Sequence, residues 1–75
     1  MRIKITMCRH EKEINIQMDS EQRIKTTLKV LSENIQGLDS FDNIKEIRLK
    51  ESGRRVDVEC TYEEAQIYTG TELLI

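Results

Sequence analysis

The stretch Thr61-Tyr62-Glu63-Glu64-Ala65-Gln66-Ile67, followed by Tyr68, Thr69 and Gly70 and then by Thr71-Glu72-Leu73-Leu74-Ile75, carries the reading of this chain. Residues 61–67 are too few for a long helix. They read as a single capped turn, with Thr61 as N-cap and Glu64 at the capping-box position three residues on. Gly70 permits a tight turn with positive φ. Thr71–Ile75 is then the last strand. At the other end Arg2-Ile3-Lys4-Ile5-Thr6-Met7 alternates strictly, with Ile3, Ile5 and Met7 on one side, as a strand with one buried face requires. Both terminal strands are apolar on that face and are expected to lie side by side in the middle of a sheet.

Alternation resumes in Glu13-Ile14-Asn15-Ile16-Gln17-Met18, which makes residues 2–18 an antiparallel hairpin around the polar stretch Arg9-His10-Glu11-Lys12. No Asn-Gly or Asp-Gly pair specifies the turn type. At Asp19 and Ser20 the period changes. Asp19 with Gln22 has capping-box spacing, and Ile24, Leu28, Leu31 and Ile35 share one helical face. The spacing predicts a helix over about residues 21–35, supported by the Glu21–Lys25 pair and stopped near Asn34 and Gly37. Val30 falls off the apolar stripe. A connection over 38–43 is expected to tuck Leu38 and Phe41 under the helix end. Two short strands follow, over 45–50 and 55–59, joined by a Glu51-Ser52-Gly53 turn. The order is ββαβ(β)β with a short helical turn before the last strand. This is an α+β chain with a mixed sheet of four to five strands and one helix packed across one face. The second strand and the 55–59 strand belong at the edges, where Glu13, Arg55 and Asp57 guard against indiscriminate pairing.

That order in a chain of this length resembles the ubiquitin fold, the β-grasp. The resemblance is closest in the last third. Residues 61–67 and Leu73-Leu74-Ile75 are similar to ubiquitin's Thr-Leu-Ser-Asp-Tyr-Asn-Ile and its closing strand, with the same spacing between them. The resemblance implies that Thr61 caps the turn, that Tyr62 and Ile67 anchor it, and that Leu73 and Ile75 enter the core. Ala65 stands where ubiquitin has a tyrosine, so that family's buried hydroxyl contact is missing. Within the superfamily, the length and the ending Gly70-Thr71-Glu72-Leu73-Leu74-Ile75 are similar to the bacterial YukD/EsaB-like group. That resemblance implies a soluble cytoplasmic accessory of type VII (WXG100-substrate) secretion, with secretion-system components as partners.

At 75 residues the chain is expected to form one ubiquitin-like domain, residues 1–75. It has 12 basic and 14 acidic residues, a net charge of −2, which argues against a general nucleic-acid binder. No apolar run approaches the ~20 residues of a membrane span, and no signal peptide is visible, so a cytoplasmic location without membrane insertion is expected. Two distant cysteines, Cys8 and Cys60, are expected as free thiols. They cannot hold an iron–sulfur cluster, and with His10 they supply three zinc ligands at most. A Cys–His nucleophile would have no oxyanion hole beside it, and Glu63 and Glu64 are adjacent, so their carboxyls diverge. Neither cofactor, metal nor enzymatic activity is expected. Ubiquitin and sulfur carriers act through a Gly-Gly tail, and the sequence as given stops at Ile75, so conjugation is not expected either.

What remains is binding. The outward strand positions are Arg2, Lys4, Thr6, Glu13, Asn15, Gln17, Glu46, Arg48, Lys50, Glu72 and Leu74, of which only Leu74 is large and apolar. This departs from ubiquitin's apolar recognition patch. Arg2, Lys4, Arg48, Lys50, Arg54 and Arg55 are read as a cluster on one side of the sheet that would steer an acidic partner. The candidate partner-binding residues are Arg2, Lys4, Arg48, Lys50, Tyr68 and Leu74, in a protein-interaction module acting as a monomer or weak dimer. The alternative is a β-grasp nucleic-acid-binding module using that basic face. The absence of an aromatic platform counts against it.

Overall fold

The computed structural model describes residues 1–9, 11–34 and 44–75. Its elements are β1 (Arg2–Arg9), β2 (Lys12–Asp19), α1 (Ile24–Asn34), β3 (Glu46–Leu49), β4 (Arg55–Asp57) and β5 (Glu72–Leu74). They form one five-stranded sheet in the order β2-β1-β5-β3-β4. The two terminal strands are neighbours, as expected, and run parallel with Met7 opposite Leu73. Every other pairing is antiparallel. The contact between β1 and β5 extends past the strand ends, through Thr6 N–H to Thr71 C=O at 3.1 Å and Ile75 N–H to Cys8 C=O at 3.0 Å.

Period-two burial follows the pattern of the sequence. Ile3, Ile5, Met7, Met18, Ile47, Val56 and Leu73 are buried on one face, and α1 lays Ile24, Leu28 and Leu31 against them. Val30, off the stripe, is 49% exposed. Ile35, Gly37, Leu38 and Phe41 lie outside the described residues, as does His10.

The start of α1 differs from the expected cap. Asp19 Oδ1 accepts the Glu21 N–H at 2.9 Å, an Asx turn that precedes the helix rather than capping it. The first helical donors are met by backbone from elsewhere. Ile24 N–H bonds to Cys60 C=O at 3.0 Å and Lys25 N–H to Val58 C=O at 2.9 Å. These carbonyls satisfy groups that a side chain would otherwise serve, so the helix starts later than expected. Lys25 pairs with Glu59 at 2.9 Å rather than with Glu21.

Strand β4 stops at Asp57, whose Oδ1 accepts the Glu59 N–H at 2.8 Å and whose carbonyl accepts the Cys60 N–H at 3.1 Å. That local turn competes with the ladder and ends the strand two residues before the expected limit. The turn over 61–67 is capped at both ends. Glu64 N–H bonds to Thr61 Oγ1 at 3.0 Å and Thr61 N–H to Glu64 Oε1 at 2.8 Å, the reciprocal capping box that the spacing predicts. At its far end Ile67 N–H reaches Tyr62 C=O and Gln66 N–H reaches Glu63 C=O, with Gln66 at φ 58°. This is a Schellman closure with a non-glycine residue in the left-handed position.

Candidate functional site

The strand registers fix which side chains share the face opposite α1, because residues directly across a pair point to the same side. One row crosses all five strands: Glu13, Cys8, Leu74, Arg48 and Arg55. The next row contains Asn15, Thr6 and Glu72. Lys50 joins it just beyond the end of β3, with its backbone N–H on Glu72 C=O at 3.0 Å and its ammonium 3.3 Å from Glu72 Oε2. Further along β1 come Lys4 opposite Gln17, then Arg2 opposite Asp19.

The registers separate the cations that the sequence groups together. Arg2 lies six residues from Cys8 along β1, about 20 Å at a strand's rise. Lys4 sits beside the turn that holds Tyr68, giving its N–H to Thr69 Oγ1 at 3.2 Å and its carbonyl to Gly70 N–H at 2.9 Å. Tyr68 is 62% exposed there, at the opposite end of the face from Arg48. Lys50 is held by the Glu72 carboxylate, whose hydrogen bond and charge raise its ammonium pKa above the ordinary lysine value. Arg54 has left the face altogether, since it precedes β4 by one residue and takes the opposite parity to Arg55. Its guanidinium donates to the Ala65 carbonyl. The expected single basic cluster is therefore two separated ends with a neutralised middle.

Arg48, Leu74 and Arg55 do come together. Leu74 is half-buried between Cys8 and Arg48, a short aliphatic surface in a polar face. Beside it runs a shallow groove along the ends of β3 and β5, whose walls also include Arg9, Lys45 and Ile44. The sequence reading left those three out. Arg9 has inward parity on β1, and Ile44 and Lys45 precede β3. Only the adjacency of the terminal strands to β3 brings them to one place. A second groove, between α1 and β4, is lined by Lys25, Lys29, Asp57 and Glu59 over Leu28 and Val58, and its charges are mixed, with Lys25 already bound to Glu59.

Cys8 and Cys60 are both free and half-buried. Among the described residues no group of three or more His, Cys, Asp or Glu side chains is placed to hold a metal ion, and no helix is long and apolar enough to cross a membrane.

No protein-family model and no curated protein matches the chain. Its structure is similar to a de novo protein designed on ubiquitin, with a TM-score of 0.70 and 20% identity over 97% of this chain and 84% of that one. The ubiquitin-like domain of an Arabidopsis thaliana protein gives a TM-score of 0.69 at 18% identity, covering 97% of this chain and 73% of the other. The ubiquitin-like domain of EccD5 from Mycobacterium xenopi gives 0.68 at 15% identity, covering 99% and 91%. At these identities the likeness is one of architecture, and it establishes that a five-stranded mixed sheet crossed by one helix gives this chain the ubiquitin-like α+β fold.

Proposed function

We propose that residues 1–75 act as one non-catalytic ubiquitin-like domain that binds a protein partner through the outer face of its sheet, as a cytoplasmic accessory of a type VII (WXG100-substrate) secretion system. The observation that supports binding is Leu74. It is the aliphatic side chain in the row that crosses all five strands, flanked by Arg48 and Cys8. An apolar anchor within a charged rim is the usual arrangement of a protein interface. Lys4 and Tyr68 at the far end of the face, with Arg2 beyond them, serve as a second point of contact. The secretion assignment rests on the similarity of residues 70–75 to YukD/EsaB-like proteins. Likeness in fold to the mycobacterial EccD5 domain accords with it.

The test is affinity purification of the tagged chain from its host, alongside a Leu74→Asp variant. Recovery of WXG100 substrates or the system's membrane ATPase by the wild type, and its loss with Leu74→Asp, is the expected result. Recovery of the same proteins by both forms would remove the outer face from the reading, and recovery of nucleic acid alone would replace the reading with the alternative one.

A further inference from the structure

Resting on that protein-binding reading, we propose that the groove beside Leu74 receives an extended acidic segment of the partner, with one aliphatic side chain seated at its centre. Among the described residues three cationic side chains, Lys45, Arg48 and Arg55, line the groove against one side-chain carboxylate, Glu46, while Arg9, also in its wall, has interactions of its own. The chain as a whole carries net charge −2, so this concentration runs against its composition. Arg55 and Glu46 are 3.7 Å apart and both largely exposed, a pairing that screens only weakly. Lys45 and Arg48 have no ion-pair partner among the described residues.

The register adds an independent observation. Arg48 and Arg55 lie directly opposite each other on β3 and β4. Like charges at directly opposed positions destabilise a sheet, so the bare fold bears a cost that a carboxylate between the two guanidiniums would relieve. Arginine forks suit carboxylates through paired, parallel N–H donors. Ile44, Leu74 and Ile75, all half-buried, supply the aliphatic floor. Among the described residues no aromatic ring lines the groove, and single-stranded RNA is recognised largely by stacking on such rings. An acidic protein segment fits this chemistry better than a nucleic acid.

The probe is a fluorescein-labelled peptide of Glu and Asp with one central Leu, titrated by anisotropy at low and at physiological ionic strength and mapped by amide NMR shifts. A Leu→Ser version of the peptide and a single-stranded RNA of equal length are run beside it. The expected result is salt-sensitive binding, weaker for the Ser peptide, with shifts gathered at residues 45–48, 55 and 74–75. Lys45→Gln combined with Arg48→Gln should weaken it about tenfold, the loss of two charge-assisted contacts. Arg2→Gln with Lys4→Gln should leave it within about twofold. Arg48→Gln alone should raise the melting temperature of the free chain while lowering affinity, an opposition that a purely structural arginine would not produce. Binding unchanged by the Lys45/Arg48 substitutions, or tighter RNA binding mapped to the same residues, overturns the inference. If the native partner's capture depends on Leu74 but on neither salt nor Arg48, the acidic-segment inference falls while the protein-binding reading stands.

Discussion

Tyr62 brings a phenol into a core whose other described members are aliphatic side chains, methionines and an alanine, and it is 0% exposed. Its Oη has no hydrogen-bond partner. Burial pushes the phenol's pKa up to about 12 from the ordinary 10.0, and the nearby Thr27 hydroxyl pulls it only slightly the other way. The folded chain thus keeps this proton over a range where the unfolded chain has lost it. The contribution is fully present below pH 10 and is lost as pH climbs from there toward 12. Tyr62→Phe removes the orphan hydroxyl, and we expect it to stabilise the fold by about 1 kcal/mol at neutral pH and to flatten the alkaline decline. Urea unfolding of both forms at neutral and strongly alkaline pH checks this, and a variant less stable at neutral pH would mean that the hydroxyl is satisfied after all. At Ala65 the sequence shows that ubiquitin's tyrosine is gone, and the structure shows a different tie to the same turn, the Arg54 guanidinium on the Ala65 carbonyl. That bond could not be read beforehand, because parity one residue ahead of a short strand decides which face Arg54 takes.

At the scale of elements, what was legible depends on where each element's hydrogen bonds go. The capping box over 61–64 is local, its two bonds spanning three residues, and the sequence pattern Thr-x-x-Glu announced it. The N-terminus of α1 carried an equally good local signal in Asp19 and Gln22, yet the helix starts at Ile24 because the Val58 and Cys60 carbonyls reach its first donors. The same contact zone includes Tyr62 N–H on Gln22 C=O and Glu63 N–H on Ser20 C=O, so the capped turn and the entry to α1 are bonded together. Thr61→Ala should cost about 1 kcal/mol, as loss of an N-cap typically does, and should raise amide exchange at Glu64. The backbone N–H of Thr61, followed by its hydroxyl, holds the Glu64 carboxyl below its ordinary pKa. A depressed carboxyl contributes stability that is lost as pH falls through its folded value, so wild-type protection at Thr61 should decline below the usual glutamate range. Protection at Thr61 that does not change with acidification would show that the box does not hold the turn in solution. Gln66, at φ 58°, is an element boundary where the sequence offered no glycine to mark the left-handed residue.

For the whole molecule, stability on the order of 5 kcal/mol is the expectation for a domain this short, and much of it depends on the joining of the two chain ends. Leu73 is fully buried opposite Met7, while its neighbour Leu74 is half-buried on the other face. Leu73→Ala should cost about 3 kcal/mol, enough to leave little of the fold at physiological temperature, and Leu74→Ala less than about 1 kcal/mol. Thermal melts of the two variants test this division, and equal losses would place Leu74 in the core rather than at a binding surface.

The amino-acid order alone determined which residues face inward, the one helical stripe, the capped turn and the adjacency of the terminal strands. The first three follow from a periodicity of two or 3.6 residues or from bonds a few residues long, and the fourth from the apolar face that both terminal strands carry. The proposed binding face was legible only as a set of outward positions. Which of them meet is a matter of register between strands distant in sequence. The β3–β5 and β3–β4 pairings set Arg48 beside Leu74 and Arg55, and those to β1 hold Lys4 about 13 Å and Arg2 about 20 Å away along the strand. Tertiary structure decided the proposed site because an electrostatic groove needs charges close together in space, and sequence spacing cannot report that distance across a sheet.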